Sequence, residues 1–388
     1  MKELIEVYIA HPGLTTGGSE ARVLYGLTAL NSIGDVTLLT GLPLDLNRLN
    51  IEYQTNVNMA DIKVVYPGRV RRILSKFGTA ARLALFNGFT RSYSTGSGIC
   101  VGAYNLIGFE KPAIQFVADF SFDDKLRLEF DPPSVRTNTF FAEWFRKAYV
   151  FLVARALGQT FYTKSDDWVI ANSHWTANKL KERMGVICKK VIYPPVLSNA
   201  PDVPWEDRRN SFICLGRISH EKKIERVIDI LKNVRVKGCK DICLYIVGDI
   251  KSDSYGDLIR SRISENSDWC FEVGPKWGRE KFEFISQFKW AIHGRDGEAF
   301  GIAVAEQVRS GCIPFVPASG GPAEIVDHDF LSYSSDSEAV DKICSVLGDV
   351  DKQNFLIQHL RKRAELFSAE RFMNDFKETV IDFYNKNK

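Results

Sequence analysis

The sequence lacks a long uncharged apolar run, a secretory leader and any set of cysteines at metal-ligand spacing, and each absence removes a class of function. Its most apolar helical segment, Phe140 to Leu157, carries Glu143, Arg146, Lys147 and Arg155, which excludes a bilayer span. Met1 to Ile9 contains Glu3 and Glu6 and runs straight into His11-Pro12, so it is not expected to be a signal peptide. The eight cysteines are scattered, with Cys239 and Cys243 as the one close pair, and read as reduced core thiols rather than zinc ligands. A net charge of +3 gives no reason to expect a nucleic-acid partner. Neither GxGxxG nor a Walker loop is present. Asp327-His328-Asp329 and Asp349-Val350-Asp351 have the acid spacing of some metal sites, but they fall in charged loops away from the ligand edge, so no metal is expected.

Acidic residues are also missing between Lys63 and Phe109, where Arg69, Arg71, Arg72, Lys76, Arg82 and Arg91 all occur. Val70, Ile73, Leu74, Phe77 and Ala81 alternate with these cations at helical spacing. Such a basic amphipathic helix suits an anionic membrane surface, and equally a solvated helix face over a sheet.

What the chain does contain is a repeated strand–helix rhythm. At 388 residues it suits two domains of comparable size. Ile5 to Ala10, Asp35 to Thr40, Ile62 to Tyr66, Ala113 to Ala118, Trp168 to Ala171 and Lys190 to Tyr193 read as buried strands. The Pro-rich, then polar stretch from Val191 to Asn210 marks a boundary, after which Ser211 to Leu215, Ile242 to Val247, Phe271 to Val273, Trp290 to Ile292 and Ile313 to Val316 continue. Continuous apolar strands separated by helices predict an α/β protein with two Rossmann-like parallel-sheet domains, 1–196 and 211–367, joined by a linker at 197–210 and followed by a C-terminal helix within 368–388.

Such sheets bind ligands at their carboxyl edge, which directs attention to the turns there. In the first domain Gly17-Gly18 opens a helix after the first strand; backbone amides could approach a phosphate at that point, and a plain chain reversal fits as well. In the second, Gly216, Gly248, Gly274 and Gly294 line the edge. Arg217 and Lys222 share one turn, a pairing suited to a diphosphate or to an ordinary charged surface. Gly297 to Val326 holds Glu298 in a Gly-flanked loop, Glu306 further along the following helix, and Gly320-Gly321 after the next strand. The amides of Ala299, Phe300 and Gly301 fall at that helix N-terminus, where an anionic or hydroxylated group is favoured.

Together these pieces resemble the GT-B glycosyltransferases of the retaining family 4 type. Glu298 to Glu306 followed by Gly320-Gly321-Pro322-Ala323-Glu324 is similar to the family's Glu-x7-Glu and GG-x-x-E elements. GRISHEKK, from Gly216, resembles its G-R-x-x-x-x-K turn, VIYPPV its interdomain strand and HPGLTTGGSEAR its N-terminal Gly-rich loop. The resemblance implies two domains facing a cleft, with acceptor on the first and nucleotide sugar on the second. It implies that Glu298 and the amides of Ala299, Phe300 and Gly301 hold the donor sugar and that Glu306 takes the ribose hydroxyls. Arg217 and Lys222 would neutralise the leaving diphosphate without a metal or cofactor, Gly17 and Gly18 would approach the phosphate, and Gly274 and Lys276 would border the base. The family often has a His after the strand preceding the cleft; here IQFVADF places Asp119 there, either contacting the sugar or capping a helix.

The implied activity is retaining transfer of a hexose from a GDP- or UDP-linked sugar to a saccharide or lipid-linked acceptor in bacterial surface polysaccharide assembly. A cytoplasmic enzyme is expected, and Arg69, Arg71, Arg72 and Lys76 of the basic helix would carry any contact with the inner face of the membrane. A nucleotide-sugar epimerase on the same fold and a non-catalytic nucleotide-sugar-binding subunit remain alternatives.

Overall fold

The computed structural model describes residues 5–15, 17–68, 79–120, 126, 129–130, 163–197 and 200–388. The chain divides into two compact units, one of Met1–Asp124, Pro132–Pro195 and Ala369–Lys388, the other of Lys125–Asp131 and Val196–Ser368. Each is built on a parallel sheet, as the run of apolar strands predicts.

In the first unit the strands are β1 (Ile5–His11), β2 (Gly34–Thr40), β3 (Lys63–Val65), β4 (Ile99–Gly102), β5 (Ile114–Val117), β6 (Trp168–Ala171) and β7 (Lys190–Val191), ordered β3-β2-β1-β4-β5-β6-β7. The described helices are α1 (Gly18–Leu30), α2 (Leu46–Tyr53), α3 (Thr79–Tyr93) and α4 (His174–Met184). Strand β4 was not anticipated. Its four residues are all buried but follow a Ser- and Gly-rich stretch that reads as loop. It pairs with β1, so the order reverses between these two strands and the switch point lies at the carboxyl ends of β1 and β4.

The second unit has β8 (Arg209–Leu215), β9 (Leu244–Val247), β10 (Cys270–Glu272), β11 (Phe288–Ile292), β12 (Ile313–Pro317) and β13 (Ser332–Tyr333), ordered β10-β9-β8-β11-β12-β13. Around it lie α5 (Ile224–Val236), α6 (Ser254–Glu265), α7 (Gly278–Ile285), α8 (Ile302–Arg309), α9 (Gly321–Val326), α10 (Asp336–Leu347) and α11 (Val350–Glu365). Helix α5 buries Ile224, Val227, Ile228 and Leu231, the face its spacing predicts. Trp290 is 1% exposed and stacks on Phe212, with its indole N–H donating to Asn210. The segment expected as a linker belongs to this unit. Trp205 packs edge-on against Trp290 at 5.3 Å, and Val196 N–H donates to the Phe367 carbonyl at 2.9 Å. The Pro-rich, polar composition there reflects an irregular path across a packed surface rather than a free tether.

The last helix, α12 (Ala369–Asn387), is part of the first unit. Phe376 stacks on Phe116 at 5.0 Å, and Phe383 meets Trp168 edge-on at 5.4 Å. Among the described residues no helix is long and apolar enough to cross a membrane. Phe140–Leu157 and the basic stretch bearing Arg69, Arg71, Arg72 and Lys76 lie outside the described residues.

The cysteine reading needs one correction. All eight are unpaired thiols, but Cys239 lies beside Cys344, Sγ to Sγ 3.9 Å, and it is this contact between α10 and the turn after α5 that brings two thiols together. Cys188, Cys239, Cys243 and Cys344 are only partly buried, the other four fully.

Candidate active site

In the second unit the strand order reverses between β8 and β11, so the loops leaving these two strands face each other at the carboxyl edge. The loop after β8 carries Arg217 to Lys223, and the loop after β11 carries His293 to Glu298. That topology brings Lys222 and Glu298 together across 76 residues of sequence. Lys222 Nζ donates to both carboxylate oxygens, each at 2.7 Å, and the two side chains are 13% and 18% exposed. Gly294 permits the approach, because a Cβ there would stand 2.7 Å from the Lys223 carbonyl oxygen and 3.0 Å from that of Lys222.

A clamp holds the Glu298 loop. Arg226, on α5, donates to the Gly294 carbonyl at 3.0 Å and to Asp296 at 2.9 Å, and lies over the Tyr333 ring. Lys223 adds a 2.6 Å bond to Asp296. Burial would raise the Asp296 pKa, but Lys223 and Arg226 hold it below the usual value. Tyr333 in turn donates to the His293 carbonyl at 2.6 Å. On its other side the loop is zipped to the turn after β12: Gly297 N–H donates to Ser319 and Gly321 N–H to the Glu298 carbonyl at 2.8 Å.

Burial alone would also raise the Glu298 pKa; Lys222, and after it His293, more than offset this and hold it well below the ordinary carboxylate range. His293 is 5% exposed, with Nε2 2.8 Å from Glu298 Oε2 but poorly aligned for a ring N–H to donate. A depressed carboxyl pKa stabilises the folded state above the unfolded value of about 4.3, and that contribution is lost as pH falls through the lower folded value. The stability difference between wild type and Glu298→Gln should therefore stay constant above about pH 5 and shrink below about pH 4. Denaturant midpoints across that range test this; a difference that grew on acidification would contradict it.

The second acid has its own lysine. Glu306, on α8, meets Lys281 of α7 at 2.6 Å, with side chains 12% and 15% exposed. Two nearly buried ion pairs are poor stability devices, since desolvating four charges costs about what their attraction returns. Their place at a sheet's ligand edge is more informative.

The remaining expected residues are arranged as follows. Arg217 does not join Glu298; it is 79% exposed and pairs with Glu221 at 3.1 Å. Helix α8 begins at Ile302, so Ala299 and Phe300 lie in the loop before it and Gly301 is its left-handed N-cap. Gly274 has φ +78 with open space around it. Lys276 pairs with Glu280 at 2.5 Å and lies over the Phe284 ring. Asp349 caps α11 and Asp327 pairs with Arg363.

In the first unit Gly17 N–H donates to Tyr53 Oη at 2.7 Å, and Gly18 opens α1. The Glu20 carboxylate folds under this turn, accepting from Thr15 N–H at 3.2 Å and Ser19 Oγ at 2.7 Å. His11 accepts from Gly13 N–H on Nδ1, which leaves Nε2 to donate to Ser19 Oγ. Burial pushes its pKa down to about 4, with Arg22 lowering it further and Glu20 opposing, so the ring is neutral at pH 7. Asp119 stands at the end of β5, where Asn105 Nδ2 donates to its carboxylate at 2.9 Å and Asn105 Oδ1 accepts from its N–H at 3.1 Å. The residues that follow Phe120 and would form the alternative capping interaction lie outside the described residues.

Three contributors escape a reading of the sequence. His293 carried a usable signal, a histidine at the end of a strand beside a glycine. Arg226 and Lys281 carried none, because each is one cation among several on a charged helix.

Residues 198–363 match the model of the family "Glycosyl transferases group 1". This part of the chain is a glycosyl transferases group 1 domain. The domain contains Lys222, Lys281, His293, Glu298 and Glu306. The chain is 28% identical over 184 residues to the GDP-Man:Man(3)GlcNAc(2)-PP-Dol alpha-1,2-mannosyltransferase of Eremothecium gossypii, covering 42% of this chain and 30% of that protein. It spans less than half the length of the curated relatives it matches. Among solved structures, sucrose-phosphate synthase from Thermosynechococcus elongatus aligns with a TM-score of 0.70 at 14% identity, covering 98% of this chain and 100% of that one. WaaG, a glycosyltransferase involved in lipopolysaccharide biosynthesis, aligns at 0.67 and 12% identity, covering 97% and 99%. At these identities the likeness shows the fold, the pair of parallel α/β sheets of the GT-B glycosyltransferases.

Proposed function

We propose that the protein is a retaining glycosyltransferase that moves a hexose from a GDP- or UDP-linked sugar to a saccharide or lipid-linked saccharide. The observation that carries this reading is the Glu298–Lys222 pair at the switch point of the glycosyl transferases group 1 domain. A diphosphate arriving beside Lys222 would share its ammonium, and Glu298 would turn its oxygens to the sugar hydroxyls. Exposed Arg217 has room to leave Glu221 and add a second cation. These two cations would neutralise the leaving group, so the proposal assigns no metal.

In the reaction the acceptor hydroxyl attacks the anomeric carbon from the face the diphosphate leaves. The bond from that carbon to the diphosphate oxygen breaks, and the acceptor proton passes to the departing diphosphate. Gly17 and Gly18 are assigned to the phosphate and Asp119 to the sugar, with Ala299 to Gly301 on the sugar and Gly274 and Lys276 at the base. The mannosyltransferase relatives, named for GDP-Man and a dolichol-linked saccharide, support GDP-mannose as the first donor to test and a lipid-linked acceptor. With such an acceptor the enzyme would work at the cytoplasmic face of a membrane, and bacterial surface polysaccharide assembly is the setting we propose.

The test is to incubate the protein with GDP-mannose, GDP-glucose, UDP-glucose or UDP-galactose and a panel of lipid-linked saccharides. Nucleoside diphosphate release and the configuration of the new linkage are then followed. Acceptor-dependent release with an α-linked product is expected. Donor isomerisation without acceptor would favour an epimerase, and tight binding without turnover across the panel a non-catalytic subunit.

A further inference from the structure

Glu306 is held by a lysine that lies apart from the phosphate-side cations. Lys281 occupies the second turn of α7 between Glu280 and Phe282, and its ammonium reaches Glu306 Oε1 at 2.6 Å while lying 4.9 Å from the Phe282 ring. Phe282 is fully buried in a cluster with Ile213, Val247, Ile285, Phe288, Ala291 and Cys312, so the base of α7 is fixed to the sheet. Glu306 is 9% exposed on α8, between the buried Ala305 and Gln307. Among the described residues its Oε2 has no hydrogen-bond partner. One oxygen is thus pinned and the other left open.

We propose that Lys281 is a positioning residue that pins one oxygen of Glu306 and aims the open oxygen at the ribose hydroxyls of the donor nucleotide; this rests on the donor-site reading above. The physical reason is the cost of a nearly buried carboxylate without a cation beside it, which ties Glu306 to Lys281. A carboxylate pinned at one oxygen keeps the other in a fixed direction, so less rotamer freedom is lost when the hydroxyl arrives. Lys281 acts through Glu306 and touches no reacting atom.

The experiment is calorimetric titration of GDP and UDP, each beside its 2′,3′-dideoxy form, into wild type and variants at pH 7.5. For the base it prefers, wild type should bind the ribonucleotide about tenfold more tightly than the dideoxy form, the usual weight of a hydrogen bond to a charged group. Lys281→Gln should cut that ratio to below about threefold, and Lys281→Arg should retain most of it. A pair that merely tied α7 to α8 would weaken both forms alike and leave the ratio unchanged, and that result would overturn the proposal. On a Glu306→Gln background, adding Lys281→Gln gives a double variant with no buried charge left unpaired, and it should change either affinity by less than about twofold. Independent, additive losses would likewise overturn it, and this arm serves if the single Lys281→Gln variant fails to fold. Wild type that binds neither GDP nor UDP would overturn the donor-site reading itself, and this inference with it.

Discussion

Glu298→Gln should slow sugar transfer by about a hundredfold to a thousandfold, the scale seen when a preorganised contact to the reacting group is removed. Glutamine preserves shape and hydrogen-bonding reach but removes the charge that holds Lys222 and would read the sugar hydroxyls. The variant should fold, but not at full stability. Lys222 is 13% exposed and would lose its carboxylate, and breaking a nearly buried pair from one side costs about 3 kcal/mol. Lys222→Met on the Glu298→Gln background removes the orphaned charge and should recover most of that stability while activity stays absent. Rate loss that tracked stability across these two variants would point to folding rather than chemistry. Single-turnover kinetics beside thermal unfolding separate the two effects.

Gly321→Ala should destabilise the second unit and displace the loop that carries Glu298. A Cβ at this position would stand 2.5 Å from the Ala299 carbonyl oxygen, 2.5 Å from Phe300 Cα and 2.8 Å from the Phe300 carbonyl oxygen. All three are backbone atoms, and none can rotate away. The loop from Gly297 to Gly301 must therefore move off the turn after β12, breaking the 2.8 Å bond from Gly321 N–H to the Glu298 carbonyl. We expect a loss of about 1–3 kcal/mol, near the cost of other overpacked sites, and a fall of several degrees in melting temperature. Nucleotide-sugar affinity should fall at least as much, since the displaced loop carries Glu298. Gly348→Ala is the control. Its nearest neighbour would be the Cys344 carbonyl at 3.4 Å, and its effect should stay within about 0.5 kcal/mol. Equal effects at the two glycines would contradict the close-approach argument.

The class of fold was legible because buried parallel strands are continuous apolar runs, and IQFV and WVIA announce themselves without a partner. The strand order was not. β4 is four residues in a Ser- and Gly-rich setting and β13 only two, so neither raises a pattern above its neighbours, although β4 decides where the first sheet reverses. The spacing of Glu298 and Glu306 on a loop and a helix was likewise readable from sequence. Their lysines were less so: Lys222 was expected on phosphate and lies on Glu298, while Lys281 comes from a helix 25 residues earlier whose charged face looks like any solvated surface. Charge partners are set by the order of strands, and a linear pattern of residue types carries little of that order. Gly320-Gly321 reads in sequence as part of a ligand turn. In the fold Gly321 serves first to let two backbones touch.

The division of labour between the two acids is the centre of this account, with the sugar read by Glu298 and the ribose by Glu306. Isothermal titration of GDP-mannose against GDP, repeated with UDP-glucose against UDP, tests it most directly in wild type, Glu298→Gln and Glu306→Gln. Glu298→Gln should erase the advantage of the sugar-bearing ligand over the bare nucleotide, and Glu306→Gln should weaken both by the same factor, about tenfold. The same loss for both ligands in both variants, or a sugar advantage that survives Glu298→Gln, would contradict it.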